Sequence, residues 1–146
     1  MTFVSLVVAG SVLDRFFREE LRRQAEEGNR ALAASVAHEI FSFLDIHFAA
    51  LSMLGNPAFD GDAAAEALRK DFPAFESVLL ADGTGKAVAA STGSGELGFD
   101  LGSRDYYRVP TETKANFVSP PFISSTHYSP SSVLAKPVSG GVAIAY

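Results

Sequence analysis

The chain has 146 residues, the length of one ordinary domain, and hydrophobic residues make up 47% of it against 20% charged residues. This balance supports a buried core and excludes wholesale disorder. The formal net charge of -5, with scattered Lys and Arg residues, excludes the concentrated basic face that a nucleic-acid partner needs. No cysteine is present, which excludes disulfides, thiolate metal sites and a cysteine nucleophile.

The first residues form an apolar run, Phe3 to Leu13, that carries no charge before Asp14. A bilayer span needs roughly 20 apolar residues, so the run is too short to be one on its own. A signal peptide begins with basic residues, and none precedes this run. Two interpretations stay open. Residues 1-13 are the outer end of a transmembrane helix, or they are the buried start of an ordinary helix or strand.

One long helix, or two nearly continuous ones, is predicted from about Val12 to Leu54, because Ala, Leu, Glu and Arg dominate and apolar residues recur at helical spacing. Its first half is densely charged and its second half almost uncharged, so we expect only the second half to enter the protein body. The first half would then project and pair with another copy, giving a homodimer. We therefore divide the chain into a signalling and dimerisation helix, residues 1-55, and a second domain, residues 56-146.

The second domain is predicted to contain a short helix and five antiparallel strands. The helix runs from Gly61 to Asp71, with Asp60 or Asp62 as its N-cap. A Gly- and Ser-rich loop, residues 91-102, follows the second strand and leads into a short helical turn that Pro110 closes. The predicted strands are Phe75 to Ala81, Lys86 to Ala90, Ala115 to Ser119, Ser131 to Val138 and Val142 to Tyr146. Helices on one face of an antiparallel sheet make an α+β fold.

Enzyme motifs are incomplete in this sequence. Residues 83-86, Gly-Thr-Gly-Lys, lack the spacing of a phosphate-binding loop and are better interpreted as a hairpin turn. His38-Glu39 would need a second histidine at position 42 to form a helical zinc site, and Ser42 stands there. No nucleophile elbow and no carboxylate pair suited to acid-base chemistry is found. We therefore predict no catalytic residue, no metal, no cofactor and no enzyme activity.

A candidate ligand site lies between Phe99 and Val138. Arg104 can hold a carboxylate through two parallel charge-assisted hydrogen bonds, while Tyr106 and Tyr107 supply hydroxyl donors and ring walls. This combination suits a small anionic or zwitterionic ligand. The residues alone leave an alternative open, in which Arg104 is solvated or paired and both tyrosines pack in the core.

Four segments in this order resemble the Cache family of extracellular sensor domains, which are PAS-like modules of bacterial chemoreceptors, sensor histidine kinases and diguanylate cyclases. The segments are FESVLLADGTGKAV, DLGSRDYY, VSPPF and VLAKPV, and the resemblance runs from about Leu13 to Tyr146. It implies a long N-terminal helix that emerges from the membrane and a central antiparallel sheet. It also implies a ligand pocket on one face of that sheet, beneath the loop and short helix that follow the second strand.

The resemblance implies roles for particular residues. Arg104 matches the family's carboxylate-binding arginine, and Tyr106 and Tyr107 match the aromatic pair that follows it. The other pocket residues it implies are three polar side chains and a less certain second cation, namely Ser119, Ser124, Thr126 and Lys136.

The sequence also departs from the pattern of amino-acid-binding members. Phe99 stands where those members have a tyrosine, and residues 122-126 lack the aspartate that holds the ligand's ammonium group. We therefore favour a small organic acid over an amino acid as the ligand.

The resemblance predicts a periplasmic ligand-sensing domain of an inner-membrane receptor, and the charged first half of the N-terminal helix predicts that it acts as a homodimer. The length fits one PAS-like lobe, so we expect either a receptor of the single-lobe type or one whose second, membrane-proximal lobe is missing here. The chain stops within the last strand, which indicates a lobe truncated at that strand. The alternative is a dimerisation module of the same fold without a ligand of its own. The orientation of Arg104, into a polar cavity or out to solvent, distinguishes the two.

Overall fold

The computed structural model describes residues 2–123 and 130–146, and it describes side chains in the first range from residue 17 onward. Ser124 and Thr126 lie outside the described residues, as do the side chains of the N-terminal apolar run. Within the part of the chain that the structure describes, no helix combines the length and apolarity needed to cross a bilayer.

The N-terminal helix, α1, spans Thr2–Leu51 and is followed by a 3-10 turn, Ser52–Gly55. The long helix predicted from Val12 to Leu54 is thus confirmed, and it begins earlier than predicted. Charged residues three and four positions apart stabilise its outer surface. Arg23, for example, lies 2.8 Å from Glu20 and 3.4 Å from Glu27.

The chain forms two compact units, Met1–Phe43 and Leu44–Tyr146. The second unit begins within α1 because Phe48, Leu51 and Leu54 belong to its buried core. The division that the sequence predicts at residue 55 stays a prediction.

The second unit contains a five-stranded antiparallel sheet with the strand order β2-β1-β7-β6-β3, which confirms the predicted α+β fold. A separate pair, β4 and β5, was not predicted. The elements are α2 Gly61–Asp71, β1 Val78–Asp82, β2 Ala87–Ala90, α3 Asp105–Thr113, β3 Phe117–Val118, β4 Phe122–Ile123, β5 Pro130–Ser131, β6 Leu134–Val138 and β7 Gly141–Ala145.

The two faces of the sheet carry separate apolar clusters, because successive side chains of a strand point to opposite faces. One face packs against the end of α1 and against α2, and it includes Val78 and Leu134. The other face packs against Leu101 and Tyr107, and it includes Ala135. The end of α1 and the short helix α2 share one face, and α3 covers part of the other.

Helix α3 corrects one prediction. Pro110 lies inside this helix, which ends at Thr113, so the expectation that Pro110 closes it was wrong. Proline removes one helical hydrogen bond, but Pro110 is fully buried and its packing offsets that loss. The helix ends where Lys114 adopts a left-handed conformation, with φ of 57°.

Candidate ligand-binding site

A cavity of about 470 Å³ lies on the α3 side of the sheet, between α3, the loop of residues 91-102 and the strands β3 and β4. Its volume is within the range of roughly 300–1,000 Å³ that small-molecule pockets occupy. Its described lining combines one cation, two carboxylates, two phenols and several apolar side chains. These residues are Glu96, Arg104, Asp105, Tyr106, Phe117, Ser119, Pro120, Phe122, Ile123 and Tyr146.

Arg104 occupies the N-cap position of α3, with extended backbone (φ -82°, ψ 139°) and no side-chain cap. Its carbonyl oxygen accepts hydrogen bonds from the N–H groups of Tyr107 at 3.0 Å and Arg108 at 2.8 Å. The side chain is exposed and borders the cavity. Among the described residues it has no carboxylate partner, so its guanidinium is available to a ligand.

Tyr106 forms a pair with Tyr146 at the cavity wall. The Tyr146 hydroxyl donates to the Tyr106 oxygen at 3.0 Å, and the two rings meet edge to face at 5.8 Å. Burial raises the pKa of Tyr146, and the hydrogen bond with Tyr106 and the charge of Glu96 act in the same direction. Tyr146 therefore stays protonated, and the proton of the Tyr106 hydroxyl remains for a ligand.

Tyr107, the other tyrosine of the predicted pair, does not line the cavity. It is 6% exposed and belongs to the core beneath α3. Its hydroxyl donates to the carbonyl oxygen of Asp82 at 3.0 Å. Adjacent helical residues point in different directions, so the structure brings Tyr106 to Arg104 and places Tyr107 in the core.

Ser119 lines the cavity, but its hydroxyl has a structural role. It accepts from the N–H of Val133 at 2.8 Å and donates to the carbonyl of Pro120 at 3.0 Å. These bonds hold the end of β3 against the residue before β6. The hydroxyl proton is therefore already used.

The structure does not bring Lys136 to the cavity. Its strand neighbours on the same face, Leu134 and Val138, pack towards α1 and α2, while Ala135 packs on the α3 face. Lys136 thus belongs to the opposite side of the sheet from Arg104. The sequence suggested Lys136 as a site residue because the order of residues in a predicted strand does not show which of them point to the cavity side of the sheet.

Glu96 is a cavity residue that sequence reasoning missed. It is half-buried, and the Ser77 hydroxyl donates to its carboxylate at a long 3.4 Å. Burial raises the pKa of this carboxyl group, and the hydrogen bond from Ser77 opposes that effect. A single glutamate in a Gly- and Ser-rich loop gave no pattern that could have identified it.

The start of this loop is attached to α2. The Asp62 carboxylate accepts from the N–H of Ala90 at 2.9 Å, and the Glu66 carboxylate accepts from the N–H of Thr92 at 3.0 Å. Helix α2, which carries Asp62 and Glu66, has Asp60 as its N-cap, one of the two N-caps that the sequence predicts. The Asp60 carboxylate accepts from the N–H of Asp62 at 3.0 Å.

The end of the loop pairs with the edge strand β2. Gly98 donates to the carbonyl of Ala87 at 2.8 Å, and Ala87 donates back to Phe99 at 2.9 Å. Phe99 is itself 58% exposed and does not line the cavity. Glu96 is therefore carried by a segment that is hydrogen-bonded on both sides.

Comparison with known proteins gives the class of fold. No protein-family model matches the chain, and no curated protein sequence matches it. The ligand-binding domain of the Campylobacter jejuni chemoreceptor Tlp3, in complex with 4-methylisoleucine, superposes with a TM-score of 0.62 at 16% identity, over 76% of this chain and 52% of that one. The ligand-binding domain of the Pseudomonas fluorescens chemoreceptor CtaA, in complex with L-serine, gives 0.62 at 18% identity, over 88% and 59%.

An extracellular ligand binding receptor from Desulfohalobium retbaense gives a TM-score of 0.59 at 21% identity, over 77% of this chain and 22% of that one. The chain thus has the fold of PAS-like extracellular sensor domains, which confirms the fold implied by the Cache resemblance. It spans about half the length of the Tlp3 domain. The proteins compared are sensor and receptor domains, not catalytic ones.

Proposed function

We propose that this chain is the extracytoplasmic ligand-sensing domain of a bacterial membrane receptor and that it binds a small carboxylate-containing molecule. One observation carries the proposal. The Arg104 guanidinium borders a cavity of about 470 Å³ and has no carboxylate partner among the described residues. The alternative, a dimerisation module with a vestigial pocket, would be favoured by a guanidinium turned away from any cavity.

The chemistry of the cavity suits a carboxylate. A guanidinium binds a carboxylate through two parallel hydrogen bonds, and the Tyr106 hydroxyl supplies a neutral donor beside it. Arg104 also stands at the start of α3, where the helix dipole favours negative charge. Phe117, Phe122 and Ile123 provide an apolar wall for the rest of the ligand.

A homodimer through α1 is part of the proposal. Large apolar side chains remain exposed along this helix at intervals of three or four residues, and a second copy of the chain would cover them. They are Leu32 at 65%, Val36 at 46%, Ile40 at 53% and Phe43 at 47% exposure. The parent receptor is proposed to be anchored in the inner membrane, with this domain in the periplasm.

A thermal-shift screen of the chain against small carboxylates and amino acids tests the proposal. A ligand at 100 times its Kd stabilises the folded state by about 2.7 kcal/mol, enough to raise the unfolding midpoint by several degrees. We expect Arg104→Ala to abolish the shift and Arg104→Lys to weaken it, because lysine keeps the charge but loses the planar fork.

The matched control is Lys114→Gly. It removes a cation from the other end of α3, outside the cavity lining, at a left-handed position that glycine tolerates. The control should keep the full shift. A shift that survives in Arg104→Ala would place the site elsewhere, and no shift with any compound would favour the dimerisation module.

A further inference from the structure

The two carboxylates that line the cavity differ in their surroundings. Asp105 has a side chain that is 71% exposed, and it accepts a hydrogen bond from Arg108 at 2.9 Å. Asp105 therefore has a cation partner on the exposed surface of α3, although Arg108 also lies 3.6 Å from Glu112 and is shared between the two carboxylates. Glu96 is half-buried and has no cation partner among the described residues.

The uncompensated charge of Glu96 is costly where it stands. A buried carboxylate that lacks a cation or several donors loses hydration without replacement. Among the described residues, Ser77 is the one side chain that donates to Glu96, at 3.4 Å, and the Tyr146 hydroxyl donates to Tyr106 instead. Burial accordingly raises the pKa of Glu96. A positively charged group on a ligand would give the Glu96 carboxylate the cation partner that the described part of the protein does not provide.

The backbone presents Glu96 to the cavity in a defined position. On one side Thr92 is bonded to Glu66 of α2, and on the other Gly98 is bonded to Ala87 of β2. A short loop held at both ends loses little further freedom on binding, which favours preorganised recognition.

We propose that Glu96 binds the ammonium group of a ligand whose carboxylate is bound by Arg104, so that the ligand is an amino acid. This inference rests on the proposed function. It reverses the preference for a plain organic acid, which was based on the absence of an aspartate in residues 122-126. The structure supplies a carboxylate from the loop before α3 instead. Arg104 and Glu96 both line the cavity, so a zwitterion can place its carboxylate on Arg104 and its ammonium group on Glu96. A ligand with a carboxylate alone would leave Glu96 without a cation partner, and the two negative charges would repel each other.

The test compares matched ligands by isothermal titration calorimetry. Each standard L-amino acid is paired with the acid of the same skeleton that lacks the amine, for example L-valine with 3-methylbutanoate. We expect the wild-type chain to bind at least one amino acid, and to bind it about tenfold to a hundredfold more tightly than the matching acid without the amine. This difference in affinity is what one charge-assisted hydrogen bond contributes.

The variant Glu96→Gln removes the charge and keeps the shape and the acceptor for Ser77. It should bind the amino acid about tenfold to a hundredfold more weakly, with no loss for the amine-free acid. Asp105→Asn is the matched control, since it neutralises the other cavity carboxylate, and it should leave the preference for the amine intact. Circular dichroism establishes that each variant is folded, and Glu96→Gln is expected to fold because a neutral amide is less costly to bury.

The outcomes separate this inference from the proposed function. If carboxylates bind in an Arg104-dependent way but the amine brings no gain, or if Glu96→Gln keeps the gain, the inference is wrong and the proposed function stands. If Asp105→Asn rather than Glu96→Gln removes the gain, the ammonium partner is Asp105 and the inference is again wrong. If no compound of the panel binds, both fall.

Discussion

The substitution Tyr107→Phe tests whether the two adjacent tyrosines have separate roles. It removes one hydroxyl, which donates to the carbonyl of Asp82 at 3.0 Å, and leaves the ring in the core. That carbonyl also accepts from the N–H of Gly85 at 3.0 Å, so it keeps a partner and only the net value of one hydrogen bond is lost. We expect about 1 kcal/mol of destabilisation, which corresponds to roughly 3–5 °C in the unfolding midpoint of a domain of this size.

Thermal and urea denaturation followed by circular dichroism measure this loss, and calorimetric titration on the same samples measures ligand affinity. Tyr107→Phe should leave affinity unchanged. Tyr106→Phe should weaken binding, because Tyr106 borders the cavity. It also removes the acceptor of the Tyr146 hydroxyl, so we expect a loss of stability of about 1–3 kcal/mol, and affinity is the property that distinguishes the two variants. Loss of affinity in Tyr107→Phe at unchanged stability would refute the assignment of Tyr107 to the core.

Two further predictions concern stability. The hydrogen bond from Arg69 lowers the pKa of Glu66 to about 2 from its ordinary 4.5, so the stability it contributes is present above pH 4.5 and lost as the pH falls towards 2. Glu66→Gln should therefore flatten the acid side of the urea-midpoint profile, and an unchanged profile would contradict this. In Gly141→Ala the new methyl group would meet the carbonyl oxygen of Ala81 across β1 and β7, costing about 3 kcal/mol or more by urea denaturation. In Gly83→Ala the new methyl group would have no neighbouring atom within 4 Å, so the urea midpoint should change little.

The regular elements with strong local signals were predictable from the sequence. The apolar spacing of α1, the cap at Asp60 and the hairpin around Gly83 each follow from residues close together in the chain. The pair β4 and β5 has only two residues in each strand, too few for any alternation to be read. Pro110 was misread because its local effect is to break a helix, whereas the packing that tolerates it is tertiary.

The candidate site was predictable only where a family pattern points to a residue. The structure places Arg104 and Tyr106 in the cavity lining, close together at the start of α3, and their binding of a ligand stays a prediction. Lys136 did not, because one step along a strand changes the face on which a side chain stands. Glu96 was missed because its place in the cavity lining depends on how the loop of residues 91-102 folds against β2, which no local pattern shows.

A crystal structure of the chain with the best ligand from the screen would show directly whether Arg104 binds the ligand's carboxylate. We expect the carboxylate on the Arg104 guanidinium, with two hydrogen bonds of roughly 2.7–2.9 Å, and the remaining groups of the ligand between Tyr106 and the apolar wall. A ligand bound on the other face of the sheet beside Lys136, or one that makes no contact with Arg104, would contradict it.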